Sequence, residues 1–375
     1  MSPAARASGT PTSGQVVPSG LTSKRLASKQ VSGKSHRRWS IKDVAQRAGV
    51  SVGTVSNVLN RPSLVAAGTR ARVEAAITEL GFVRHGAARQ LRAGTSRAVG
   101  AIVLDISNPF FTDVARGIED RLAEDDYILV LASSDERVDK ERRYLHLLEE
   151  QGVQGVLLSP ADADLSWLEP TRERGTSIVL LDRPAPDDTL CSVAVNDVTG
   201  GELAATHLIE LGHKRIGFVN GSTKIRQCAD RRKGVRNALK KAKLPITTSL
   251  VEVTVNALNA SGGEEALERL LSLADPVTAI LCANDLTALG VLRGLRRNNI
   301  EVPDQMAVVG YDDVEFASVL TTPLTSVRQP RYQIGRAAAD LLLDEASSAG
   351  HVHKQIWFEP ELVVRESSGP HRRPL

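Results

Sequence analysis

The chain has 375 residues, 42% hydrophobic and 24% charged, the balance of a water-soluble globular protein with room for a small head and a two-part body. No apolar run approaches the ~20 residues of a membrane span and no secretory apolar core opens the chain. The three scattered cysteines, Cys191, Cys228 and Cys282, argue against a disulfide framework or a zinc site and for a reducing cytoplasm. The net charge of +3 hides an asymmetry: residues 1–97 carry 16 Lys and Arg against 3 Asp and Glu, and the remainder carries 31 against 41. A basic quarter joined to an acidic body is what a phosphate-binding head needs.

Residues 1–38 are rich in Ser, Gly, Pro and Thr with scattered Lys and Arg and no acidic residue. Such a segment cannot bury enough apolar surface to order itself, so a disordered basic tail is expected. It is either an arm adding non-specific DNA affinity or a stretch upstream of the true start.

Residues 40–60 are the most informative. Ile41, Val44, Ala45 and Ala48 recur at three- and four-residue spacing and put an apolar stripe on a first helix. Gly49 supplies the turn. Ser51 caps a second helix whose inward face is Val55, Val58 and Leu59. Its other face, Val52, Gly53, Thr54, Ser56 and Asn57, is small or polar, as a surface approaching base edges and phosphates is. A third helix is predicted over 69–80, with Val73, Ile77 and Leu80 on one face and Gly81 closing it. This is a helix-turn-helix head of residues 39–83. The basic, weakly helical segment after it is too short to be a stable free helix.

From residue 98 the pattern changes. Apolar runs at 99–104, 128–131, 155–158 and 178–181 read as buried strands, alternating with amphipathic helical stretches at 111–123 and 140–151. Further strand runs follow at 193–195, 216–219, 279–282 and 307–309. This alternation predicts an α/β body of doubly wound parallel sheets, in which ligands sit at the carboxyl ends of the strands. Polar residues stand there: Asp105, Asp182, Asn284-Asp285 and Asp312-Asp313.

Taken in order, I-K-D-V-A-Q-R-A-G-V-S-V-G-T-V-S-N-V-L-N (41–60), A-R-Q-L-R (88–92), D-I-S-N-P-F-F (105–111), V-L-L-D-R-P (179–184), H-L-I-E-L-G-H-K-R-I-G-F (207–218), A-N-D (283–285) and V-V-G-Y-D-D (308–313) resemble the lactose-repressor (LacI/GalR) family of bacterial transcription factors over roughly residues 39–366. The resemblance implies an all-α head and an α/β body like a type I periplasmic sugar-binding protein. It implies a hinge helix and linker over 84–97 and an effector-binding and dimerisation domain over 98–366, with a tail at 367–375. The N-subdomain would be about 98–195 and 328–357, and the C-subdomain about 196–327 and 358–366. Crossovers are expected near Asn196, Val327 and Trp357.

The implied partners are double-stranded palindromic operator DNA, a second copy of the chain, and a small effector between the subdomains, with no cofactor, metal or membrane. The effector is a sugar or derivative by the family default, with a nucleobase or other metabolite as the alternative, and release and promotion of DNA binding are both open. The expected location is the bacterial cytoplasm, at the nucleoid. Val52, Gly53 and Asn57 occupy the family's base-reading positions. Asn57 stands where arginine is often found; asparagine pairs with adenine rather than guanine, or touches phosphate only. Ser51, Thr54, Ser56 and Asn60 complete the expected contact face, Thr54 and Ser56 toward phosphates.

Leu91 matches the family's minor-groove wedge, with Ala88 and Arg89 beside it. Arg84 replaces a frequent proline, and Ala66 the usual serine cap of the third helix. For the effector, Asp182, Arg231, Asn284 and Asp312 match polar cleft positions, and Asn108 and Phe110 border them. Singly these have plainer readings: Asp182 as a turn residue, Arg231 as part of a basic cluster, one of Phe110 and Phe111 as core. Asp285 and Asp313 read as structural partners. No leucine heptads for a tetramerising helix follow. A transporter's solute-binding protein is the second reading. An enzyme is the third, with no phosphate loop, metal-ligand spacing or nucleophile–base motif behind it.

Overall fold

The computed structural model describes residues 39–83, 97–348 and 350–370, in two compact units, the head and the body. Expectations for the tail 1–38 and for most of the hinge, Ala88, Arg89 and Leu91 included, lie outside the described residues.

In the head, α1 (Ile41–Ala48), α2 (Val52–Asn60) and α3 (Ala67–Leu80) enclose one small core of Val44, Ala45, Ala48, Val55, Val58, Val73 and Ala76. Ser40 and Asp43 cap α1 reciprocally, a box the composition alone did not flag. Gly49 ends α1 at φ 64°, where a side chain would be strained. Ser51 Oγ accepts from the Thr54 amide at 3.0 Å and starts α2. At α3 the Ala66 position gives no side-chain cap. The helix starts at Ala67, two residues before its predicted position, and ends on Gly81 in the left-handed region.

The body holds two six-stranded sheets. The first contains β1 (Ala98–Val103), β2 (Ile128–Ser133), β3 (Gly155–Leu158), β4 (Ser177–Leu181), β5 (Cys191–Val195) and β11 (Gln355–Phe358), in the order β11-β5-β4-β3-β1-β2. The second contains β6 (Ile216–Asn220), β7 (Leu250–Thr254), β8 (Ala279–Cys282), β9 (Ala307–Asp312), β10 (Thr325–Arg328) and β12 (Glu361–Val363), in the order β12-β10-β9-β8-β6-β7. All pairings are parallel except β10 with β12. The chain therefore passes between sheets after β5, after β10 and after β11. Asn196 and Glu359, at the first and third passages, are bonded at 3.2 Å.

The strands read as continuous apolar runs because both faces of each sheet are covered. Val99, Ala101 and Val103 enter one core with Leu157, Val179 and Leu181; Ile102, Val156, Leu158, Ile178 and Leu180 enter another on the opposite face. The covering helices are α4 (Pro109–Ala123), α5 (Val138–Glu150), α6 (Asp197–Glu210), α7 (Arg226–Lys241), α8 (Ala260–Leu271), α9 (Asp285–Arg297) and α10 (Arg331–Ser347). α4 and α10 approach closely enough that a Cβ on Gly117 would lie 2.1 Å from Tyr332 O, and one on Gly335 2.0 Å from Val114 O.

One strand corrects the sequence reading. The run at 128–131, read as buried, is the edge strand β2; Ile128 is 63% exposed, and Val130 and Leu131 are also exposed. An apolar edge strand and an apolar central strand carry the same local signature, and only topology separates them. The short strands β7 and β10–β12 carry weaker signals and are not picked out by pattern.

Candidate functional site

In the head, α2 turns Val55 and Val58 inward. That rotation leaves Ser51, Val52, Gly53, Asn57 and Asn60 exposed and Thr54 and Ser56 half-buried. The Asn60 amide donates to Ser56 O at 2.8 Å and lies 3.2 Å from Ser56 Oγ, so these two polar groups are braced along the helix. Arg47 on α1 pairs with Glu79 on α3, Nη2 to Oε1 at 2.6 Å, and ties the first helix to the third. α2 thus presents one convex, mostly polar face with its core behind it.

In the body, the carboxyl ends of β1, β4, β8 and β9 from both sheets meet around a narrow cavity of about 40 Å³. Its lining includes Asn108, Phe110, Asp182, Arg231, Asn284 and Asp312, all six of the expected effector residues, together with Gln227, Glu136, Cys228 and Leu258. The fold brings these residues to one place, and it also uses several of them structurally. Asn284 caps α9: its Oδ1 accepts from the Thr287 amide at 2.8 Å and from Thr287 Oγ1 at 2.6 Å, and its Nδ2 donates to Leu258 O at 2.9 Å. Phe110 and Phe111 are both buried, edge to face at 4.9 Å.

Arg231 is held by Asp197, Nε to Oδ1 at 2.8 Å, by Ala283 O at 2.5 Å, and by the Tyr311 ring 3.8 Å from its guanidinium carbon. Tyr311 donates to the same Asp197 oxygen at 2.8 Å. Burying a guanidinium, a carboxylate and a phenol is tolerable because each compensates the next. Asp285 and Asp313 stand behind the wall: Asp285 accepts from Ser326 Oγ at 2.6 Å and the Val314 amide at 2.9 Å, and Asp313 from Arg328 Nε at 2.7 Å.

Among the contacts that cross the cleft, two stand at the candidate effector residues. Asn108 Nδ2 donates to Asp312 Oδ2 at 3.1 Å, and Gln227 Nε2 donates to Asp182, at 2.5 Å to its carbonyl and 3.0 Å to Oδ2. Asp182 and Asp312 both sit at positive φ, 59° and 102°, where the strand ends turn sharply to aim the carboxyls inward. Burial, reinforced by Asp197, pushes the Asp182 carboxyl well above its ordinary value. Burial lifts Asp312 to about 6 against the pull of Arg231. At the mouth, burial raises Glu136 to about 7. Asp182 Oδ1 and Gln227 Oε1 are buried and have no hydrogen-bond partner. Gln227 carried no sequence signal, since it neither follows an apolar strand run nor lies in a quoted motif; Glu136 stands five residues past the apolar run at 128–131, outside every quoted motif.

Comparison with known proteins agrees with both halves. Residues 40–85 match the model of bacterial regulatory proteins of the lacI family, and residues 205–368 match a periplasmic binding protein-like domain. The chain is 31% identical over 328 residues to the HTH-type transcriptional repressor PurR of Photobacterium profundum, an overlap covering 87% of this chain and 98% of that one. The chain belongs to the LacI family.

It is a DNA-binding transcriptional regulator of that family. Among solved LacI-family structures, the lac repressor dimer bound to operator and the anti-inducer ONPF is similar at TM-score 0.75 and 26% identity, covering 89% of this chain and all of that one. The transcriptional regulator CelR in complex with cellobiose is similar at TM-score 0.66 and 32% identity, covering 88% of this chain and 100% of that one. No helix among the described residues is long and apolar enough to cross a membrane.

Proposed function

We propose that this LacI-family chain is a homodimeric repressor of a palindromic operator, with its DNA affinity set by a sugar-like molecule held between the two subdomains of the body. The observation that carries the reading is the buried, unpartnered Asp182 Oδ1 in a cleft built from both sheets, with Gln227 Oε1 beside it. Unpaired buried oxygens are costly, and a ligand presenting several hydroxyl donors compensates them. Asp312 and the remaining edge of Arg231 supply further polar positions for the same ligand. The cellobiose bound by CelR supports the class of compound.

Because Asn108–Asp312 and Gln227–Asp182 already join the subdomains, a ligand that inserts between these pairs changes how the cleft closes. A thousandfold change in operator affinity requires the ligand to favour one closure by about 4 kcal/mol. A few hydrogen bonds made in only one state supply that. The exposed apolar edge of β2 supports self-association, and a dimer sets two α2 faces on two half-sites. On DNA, Val52, Gly53 and Asn57 read bases, and Ser51, Thr54, Ser56 and Asn60 contact phosphates. Leu91, with Ala88 and Arg89, wedges the minor groove at the operator centre. The protein works at the nucleoid, in the bacterial cytoplasm.

The test is operator binding by fluorescence anisotropy, with DNA upstream of the chain's own gene titrated against a panel of sugars and other metabolites. Release by one compound identifies an inducer and tightening a co-repressor. Asp182→Ala is expected to abolish the response while leaving ligand-free DNA affinity intact. No binding to any palindromic duplex at low salt overturns the reading.

A further inference from the structure

At the opposite end of the first sheet from the cleft, Cys191 opens β5, Glu345 lies in the last turns of α10, and His351 and His353 lie in the loop that leads into β11. One ligand-capable atom from each of these residues lies within 4.8 Å of all the others. Cys191 Sγ is 3.0 Å from His351 Nε2 and 3.7 Å from His353 Nδ1, and His353 Nδ1 is 3.8 Å from Glu345 Oε2. Bonds of about 2.0–2.3 Å put the ligand atoms of a tetrahedral zinc about 3.3–3.8 Å apart, close to these separations.

Three further observations point to a ligand. The His351 side chain is only 6% exposed, and the Glu345 Oε2 is buried without a hydrogen-bond partner. Cys191 Sγ accepts from the Lys354 amide at 3.3 Å and is also approached by two imidazole nitrogens, so three nitrogens crowd one sulfur. Asp344 Oδ2 stands 3.2 Å behind His351 Nδ1, the place of the outer carboxylate that orients a metal-bound histidine.

We propose that Cys191, Glu345, His351 and His353 form a closed four-ligand site for a divalent transition metal of the zinc class. One thiolate, two imidazoles and one carboxylate suit zinc over calcium or magnesium. Four protein ligands leave no open position, so the role is structural. On binding, Cys191 gives its thiol proton to solvent and its sulfur bonds the metal. The ion fastens the start of the edge strand β11 to β5 and to α10, below the strands whose far ends pass between the sheets. Sequence spacing argued against zinc because Cys191 stands alone, 160 residues before His351; the fold supplies its partners.

The experiment uses the untagged full chain, stripped with chelator and titrated with Co²⁺ and Zn²⁺. The expected result is one ion per chain, a thiolate-to-cobalt charge-transfer band with tetrahedral visible bands, and a zinc-dependent rise in Tm. Cys191→Ser and His353→Gln are expected to lose the band and the Tm rise. Asp344→Asn is expected to keep one ion per chain at roughly 10–100-fold lower affinity. If Cys191→Ser fails to fold, the half-exposed His353 position carries the test alone. Sub-stoichiometric metal after dialysis, no charge-transfer band, or equal binding by wild type and His353→Gln overturns the proposal.

Discussion

Asn108 joins two jobs in one amide: its Oδ1 accepts from the Phe110 amide at 3.0 Å to cap α4, and its Nδ2 crosses the cleft to Asp312 Oδ2 at 3.1 Å. The start of a helix in one subdomain is thereby tied to the end of a strand in the other. Asp312 also accepts from Gln329 Nε2 at 2.7 Å, so both of its oxygens are engaged.

Two substitutions separate these jobs. Asn108→Asp keeps a capping acceptor but sets a second carboxyl against Asp312. Asn108→Ala loses both functions and is expected to cost about 0.5–2 kcal/mol from the cap alone. In urea melts, Asn108→Ala is therefore expected to be destabilised at all pH values. Asn108→Asp is expected to approach wild type only below about pH 6, where Asp312 is protonated. Equal melts for the two variants at pH 8 and pH 5 would show that the cross-cleft bond carries no weight.

The fold class and the cleft were legible because strand-terminal polar residues follow apolar runs, and the ends of parallel strands lie together. Asp182 and Asp312 illustrate this. What was not legible is how a residue divides its hydrogen bonds. Asn284 has the same strand-end signature as Asp182, yet it is consumed by capping α9 while Asp182 keeps an unpartnered oxygen. Gln227 lies in a helix whose periodicity says nothing about the opposite subdomain. Ile128 in β2 looked like core because exposure of an edge depends on what stands beside it.

Glu141 gives a pH dependence with a definite sign. It is fully buried in α5; Oε2 accepts from the Ala161 amide at 2.7 Å and Oε1 has no partner. Burial raises the carboxyl from 4.5 to about 7, so the folded state binds a proton that the unfolded chain releases. This stability is fully present below about pH 4.5 and is lost as pH rises through 7. The shift corresponds to roughly 3 kcal/mol at most. Glu141→Gln keeps the acceptor for Ala161 without the charge. Its stability relative to wild type is expected to rise by about 1–3 kcal/mol between pH 5 and pH 8 in urea melts. A constant difference across that range would refute the assignment.

The approach of α4 and α10 predicts a steric defect. A methyl on Gly335 meets Val114 O at 2.0 Å, a backbone atom that cannot swing aside. Gly335→Ala should lower unfolding free energy by about 1–3 kcal/mol through overpacking, whereas Gly68→Ala in α3, with open space around it, should be neutral or stabilising. Thermal melts of the pair test the packing directly. Equal Tm values would mean that the helices sit farther apart.

Asn57 is the sharpest test of the head. It is exposed on α2, one residue before buried Val58, with an amide able to bond adenine at two points. Asn57→Ala is expected to weaken cognate operator binding by about 1–3 kcal/mol while leaving the salt slope and random-sequence affinity unchanged. Asn57→Arg is expected to shift preference toward guanine at one base of each half-site, read by selection from a randomised operator library. A loss of affinity equal on operator and random DNA would assign Asn57 to phosphate contact instead.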